Sequence, residues 1–236
     1  MMDIDGLTVQ VNRKNIKNLH LSIMPSNGWV RVSSPMNVDD ETIRLFVISK
    51  YGWILQKQNE FLNQLRESIR EYVSGESHYL FGTRYVLNIK HSNGYAIIVK
   101  GKNIIFNVRG NSTIEQREYH FHEWYRSLLK EKIGYYIKKW GNIMDISPSS
   151  WQIKKMSTKW GSCSYAKSTL LFNLSLAKKP LECIEYVIVH ELCHLIHRTH
   201  SKEFYALLTK HLPFWKEKQR TLNDLHLDVY DETNKS

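Results

Sequence analysis

Apolar and polar positions alternate along residues 4 to 35 in three short pieces: Leu7-Thr-Val9-Gln-Val11, Leu19-His-Leu21-Ser-Ile23 and Trp29-Val-Arg-Val32. A period of two puts every second side chain on one face, so these pieces predict the strands of a small antiparallel sheet. Pro25, Asn27 and Gly28 read as a hairpin loop between the last two. His20 falls in the polar phase of its strand, which places it on the surface. The period then lengthens. Asp39 and Asp40 stand where an N-cap belongs, and Ile43, Phe46, Val47, Trp53, Ile54, Phe61, Leu62 and Leu65 recur at helical intervals. Gly52 weakens the middle of this helix and predicts a bend. Strands resume at 79–81, 85–89, 96–99 and 104–108, and Asn93-Gly94 signals a hairpin between two of them. No repeat is visible in the sequence.

The polar run at 109–113 is the expected domain boundary, dividing a β-rich region with one long helix (1–112) from a second domain (113–236). The second begins with a helix over 114–140. Its apolar stripe is Phe121, Trp124, Tyr125, Leu128, Leu129, Ile133, Tyr136, Ile137 and Trp140, and Gly141 is the predicted stop. His120 and His122 lie on it two apart and point in different directions. Strands follow at 151–156 and 170–174, and Pro180 suits the first turn of the next helix. There Leu181, Ile184, Ile188, Leu192 and Leu195 share one face. After His200 a further helix runs through Phe204, Leu207 and Leu208 towards Pro213, and the tail from Asp228 is polar and expected to fray. The fold class is α+β.

Composition narrows the setting. The 236 residues hold seven Trp and thirteen Tyr, too aromatic for a disordered chain. A formal charge of +10 suggests an acidic partner, with nucleic acid one possibility, although Lys and Arg are scattered. Cys163, Cys183 and Cys193 are odd in number and form no C-x-x-C pair, which speaks for a reducing compartment. Cys193 points away from its histidine neighbours and reads as a small core residue. No signal peptide and no membrane span of about 20 apolar residues is visible. The expected location is cytoplasmic.

The chemistry concentrates between His190 and His200. His190 and His194 sit four apart on one helical face, opposite the apolar one, with Glu191 beside them. In this H-E-x-x-H arrangement the two His bind zinc and the Glu serves as general base. A catalytic zinc takes three protein ligands and keeps one position open for water. His200 is favoured as the third, with His197, Glu203 and His211 as the other candidates. The spacing from His190 to His200 equals that of metzincins, but His197 replaces their central Gly, so the turn between ligands must be built differently. The motif predicts a zinc-dependent peptidase acting on proteins or peptides. A structural zinc site, with four protein ligands, is the competing reading.

Lys159-Trp-Gly-Ser-Cys-Ser164, the strand ending near Asn173, Tyr186-Val-Ile-Val-His190-Glu-Leu-Cys-His194 and His200-Ser-Lys-Glu-Phe204 resemble the YgjP-like metallopeptidase family, related to SprT-type and other minimal zincins. The likeness spans most of the chain, including the β-rich start and Tyr51-Gly-Trp53-Ile54. One departure is Lys159, where the pattern has Arg; the charge is kept but a bidentate contact is not. The resemblance implies a zincin-like α+β catalytic domain, zinc on His190, His194 and His200, and a catalytic Glu191. The SprT-type kinship and the charge imply the alternative of a nucleic-acid-associated protease acting on DNA-bound proteins. In zincins an edge strand above the metal accepts a peptide as a further strand. Lys159, Trp160, Gly161 and Ser162 are the candidates for that substrate platform, with Gly161 allowing close backbone approach. The alternative role for Trp160 and Cys163 is packing beneath the active helix. Lys159, Tyr165 and Tyr205 are candidates to stabilise an oxyanion.

Overall fold

The alternating segments at the start of the chain pair into one four-stranded sheet in a computed structural model that describes residues 1–23, 29–63, 70–156 and 159–224. β1 (Met2–Ile4) and β2 (Leu7–Lys14) are antiparallel, β2 runs parallel to β4 (Val30–Pro35), and β3 (His20–Ile23) lies antiparallel on the far side of β4. The sheet is therefore mixed, because β4 returns between β2 and β3. Pro25, Asn27 and Gly28 lie outside the described residues. The helical pattern that follows is broken at Lys50 into α1 (Asp40–Ser49) and α2 (Tyr51–Asn63), two residues before the bend expected at Gly52. Asp39 caps α1 by accepting the Thr42 N–H at 2.6 Å. Ile4, Val9, Val30, Val32, Ile43, Val47 and Ile54 are buried together as this unit's core. Leu65 and the side chains of Phe61 and Leu62 lie outside the described residues.

A second sheet follows the same path. β5 (Ser77–Leu80), β6 (Thr83–His91), β7 (Ala96–Lys100) and β8 (Asn103–Val108) take the order β5-β6-β8-β7, with the senses of the first sheet repeated strand for strand. The Asn93-Gly94 pair thus joins two strands that do not pair, and the hairpin is β7–β8, turning at Gly101. Each sheet opens with a two-residue turn, Asp5-Gly6 and Phe81-Gly82, whose residues all have positive φ. The chain repeats a strand path that its residues do not advertise.

The chain forms two compact units, one within Met1–Ser68 and one within Ile69–Leu225. The run at 109–113 lies inside the second, so the boundary falls some forty residues before the expected one. The reason is a shared core: Leu87, Ile104, Phe106 and Val108 of the second sheet bury with Phe121, Tyr125, Leu129 and Ile133 of α3 (Ile114–Met144). A capping box between Thr113 and Gln116 starts α3. The helix continues through Gly141 to an αL cap at Asp145, and Ile146 N–H closes back onto the Gly141 carbonyl at 2.9 Å. Gly141 is therefore small because Ile146 backs onto it; an added Cβ would lie 2.7 Å from the Ile146 oxygen.

The third sheet carries the site. β11 (Thr169–Asn173) is central, parallel to β9 (Ser150–Lys154) and antiparallel to β10 (Gly161–Ser164), which leaves β10 on the edge. A 3-10 turn (Leu174–Lys178) leads to Pro180 and α4 (Leu181–Cys193), followed by α5 (Lys202–His211) and α6 (Trp215–Asp224). The β5–β6 turn docks on this bend: Phe81 and Gly82 donate their N–H groups to the Ala177 and Lys178 carbonyls at 2.8 and 3.2 Å. A Cβ on Gly82 would meet Pro180 at 2.9 Å. α4 is less amphipathic than its sequence suggests. Cys183, Tyr186 and Val187, on the histidine side, are buried as fully as Ile184, Ile188 and Leu192 opposite, because α4 packs against α3, α5 and α6. Of its residues, Glu182 is exposed and Leu181, Glu185 and His190 are partly exposed. No helix among the described residues is long and apolar enough to cross a membrane.

Candidate metal centre

α4 delivers His190 and His194 from one face, and the turn after it brings His200 back to them. The helix stops at His194, and the carbonyl of His197 accepts a hydrogen bond from His194 Nδ1 at 3.1 Å. That bond orients the ring so that Nε2 is turned towards the other two imidazoles. Ser201 then caps α5, accepting the Phe204 N–H at 3.3 Å, so the helix restarts directly after His200. One nitrogen from each of His190, His194 and His200 lies within 4.8 Å of the others. His190 Nε2 and His200 Nε2 are 3.0 Å apart. Two ligands about 2.0–2.1 Å from a tetrahedral ion lie roughly 3.3 Å apart, so the three donors fit one ion.

Phe204 forms the floor. Its buried ring stands 5.0, 4.6 and 4.8 Å from the rings of His190, His194 and His200. Tyr205 stacks on His200 (5.9 Å, 21°), and the stack continues through Trp215 (5.3 Å, 16°) to Tyr186 (6.4 Å, 8°). This apolar setting sets the protonation states. Burial and the two neighbouring imidazoles pull His190 down to about 3, and burial also lowers His194. Both are neutral at neutral pH, as ligands must be. His190 Nδ1 is buried with no hydrogen-bond partner among the described residues.

Glu191 is buried and faces β10. An added Cβ on Gly161 would come within 2.5 Å of Glu191 Oε1. Burial pushes the carboxyl up to about 8, against the pull of Lys159. Gly161 therefore makes room for Glu191, a different use of its small size from the substrate approach expected of it. A cavity of about 560 Å³ opens between β10 and the histidines, lined by Lys159, Gly161, Ser162, Cys163, Tyr165 and Arg198 together with Glu191 and the three imidazoles. Trp160 is not on its wall; its half-buried ring packs on the core with the Lys179 ammonium 5.2 Å above it. Cys163 does both, lining the cavity and packing on the core, and burial beside Glu191 pushes its thiol up to about 11. Cys193 is wholly buried. Of the oxyanion candidates, Lys159 and Tyr165 line the cavity, whereas Tyr205 stacks on His200.

The other ligand candidates are elsewhere. Among the described residues the group able to hold a metal ion is His190, His194 and His200, without Glu203 or His211. His197 contributes its carbonyl, and Glu203 is held in the first turn of α5 by a bond with Ser201 that lowers its pKa.

The residue that sequence reasoning missed as a support is Asn173. It is fully buried, donates to the Met156 and Lys159 carbonyls at 2.7 and 2.8 Å, accepts the Ser175 N–H at 3.1 Å, and gives its own N–H to Trp160. It clamps the approach to β10 onto the end of β11. A polar residue closing a run of apolar strand positions was the available signal.

The model of the YgjP-like metallopeptidase domain matches residues 17–225. The chain belongs to the YgjP-like family. It carries that family's metallopeptidase domain, and is thus a metal-dependent peptidase by family. No curated protein matches the YgjP-like chain. Among solved structures it is similar to the metallopeptidase zymogen of Pyrococcus abyssi abylysin, at 19% identity and a TM-score of 0.36, over 43% of this chain and 99% of that one.

Proposed function

We propose that this YgjP-like chain is a zinc-dependent endopeptidase or exopeptidase in which His190, His194 and His200 hold the metal and Glu191 is the general base. The observation that carries the reading is the convergence of three imidazoles beside a buried carboxyl group on the wall of one cavity. The nitrogen-only donor set suits zinc. Zinc, when bound, supplies a Lewis acid that acidifies water and polarises a carbonyl. The chain supplies the rest. Glu191 accepts the proton of the attacking water and passes it to the leaving amine, and its raised pKa suits both transfers near neutrality. The free edge of β10 offers main-chain donors and acceptors to an extended peptide, which would lie along the cavity as a further strand. Lys159, Gly161 and Ser162 stand on that wall. Lys159 and Tyr165, both on the cavity wall, are the candidates to stabilise the oxyanion. The test is metal content and peptide hydrolysis together. One zinc per chain, with cleavage of a peptide library that a chelator abolishes and zinc restores, is expected. Cleavage that survives complete removal of the metal would reject it.

A further inference from the structure

The cavity has an uneven charge that the hydrolytic chemistry does not require. Its lining includes two cationic residues, Lys159 before β10 and Arg198 in the turn between His194 and His200, and one acid, Glu191. Both cations are exposed. Among the described residues, neither has a carboxylate in an ion pair with it, although Lys and Arg elsewhere find such partners: Lys139 with Glu185, Lys155 with Glu118 and Arg126 with Glu123. Glu203, the acid nearest in sequence, bonds instead to Ser201 at the start of α5. Glu191 cannot serve as the counter-ion of both, since its carboxylate is buried against Gly161.

We infer that Lys159 and Arg198 form a subsite for a substrate carboxylate beside the scissile bond. This rests on the peptidase reading and adds its specificity. A planar guanidinium on the rim of a partly enclosed cavity can take both oxygens of a carboxylate, and the ammonium adds a point charge. The carboxylate has two sources in a peptide, an Asp or Glu side chain or a free C-terminus. Because Arg198 sits between two metal ligands in sequence, its reach is tied to the metal-bearing turn and not to the distant end of the cavity. It is a specificity-determining residue, with no part in the proton transfers.

The test uses the zinc-loaded full chain and fluorogenic peptides in which one position at a time carries Asp or Asn, each with a free or amidated C-terminus. A charge-assisted hydrogen bond changes kcat/KM by about tenfold or more. At one position the Asp peptide should exceed its Asn partner by that factor at low salt, mainly through KM, with the ratio shrinking as salt is added. If the C-terminus is the source, the free-acid and amide peptides show the ratio instead. Arg198→Glu should bring the ratio to about one or invert it, and Lys159→Glu should act in the same direction. Zinc content and melting temperature serve as folding controls for both variants. Equal rates for both pairs in the unaltered protein, or a ratio that survives Arg198→Glu, would overturn the subsite alone. No cleavage of any peptide by the zinc-loaded protein would remove the peptidase reading and the subsite with it.

Discussion

Gly161 and Glu191 touch: the first residue of the edge strand lies against the carboxylate proposed as general base, with no space for a β-carbon between them. The strand that would bind substrate and the group that would act on it are therefore positioned by one contact. Gly161→Ala must push Glu191 or the strand aside. The variant should keep its zinc, lose about 100-fold or more in kcat from a displacement near 1 Å, and melt only slightly lower. Zinc analysis beside steady-state kinetics checks this; an alanine variant of full activity would show that the contact yields at no cost.

The assignment of the third ligand is tested by a pair. His200→Ala removes an imidazole from the cluster and should lower zinc affinity by orders of magnitude. His197→Ala leaves the carbonyl that holds His194 Nδ1, and should bind zinc within about tenfold of the unaltered protein. Competition with a chromogenic chelator separates the two. The reverse ranking would move the ligand to His197.

The Asn173 amide satisfies two carbonyls on the approach to β10. Asn173→Ala removes both of these part-buried hydrogen bonds, at a cost of about 1–3 kcal/mol. The expected readout is a lower midpoint in urea together with a raised KM, since the loosened segment carries Lys159. A change in stability with KM untouched would confine Asn173 to the fold.

The metal-free protein should lose stability as pH rises towards 8. The Glu191 carboxyl ionises at about 4.5 when exposed and at about 8 when buried here, so across that window the unfolded state has released a proton the folded state keeps. The contribution is complete below the lower value and is lost as pH climbs through the upper one. His190 acts in the opposite sense at the acid end: neutral in the fold, it loses stability as pH falls from 6.5 towards about 3. Comparing unfolding of metal-free protein with Glu191→Gln isolates the carboxyl. The variant should lack the decline between pH 5 and 8; parallel curves would contradict the raised pKa.

What the sequence could disclose followed the range of each interaction. His190 and His194 are one helical turn apart, so local geometry alone pairs them, and the distance along the chain to His200 made it the favoured third donor. The start of α1 was readable because its cap Asp39 acts within three residues, while α3 and α5 were read from their apolar positions and not from their caps Thr113 and Ser201. Strand order was not readable. A period of two states that a strand exists and which face is buried, and is silent on which neighbour it pairs with, so the insertion of β8 between β6 and β7 left no mark at Asn93-Gly94. Gly161 looked like room for a substrate because its real neighbour, Glu191, is thirty residues away. Phe204 and Asn173 were visible as an apolar and a polar residue; their roles as floor and clamp exist only once α5 and β11 are in place.

The most direct test of the central claim is the activity of the zinc-loaded Glu191→Gln variant. Gln fills the same space beside Gly161 and removes the base without touching a ligand. The account predicts one zinc per chain, an unchanged fold and hydrolysis lowered by about 100-fold or more. Undiminished hydrolysis by a fully zinc-loaded Glu191→Gln protein would contradict it.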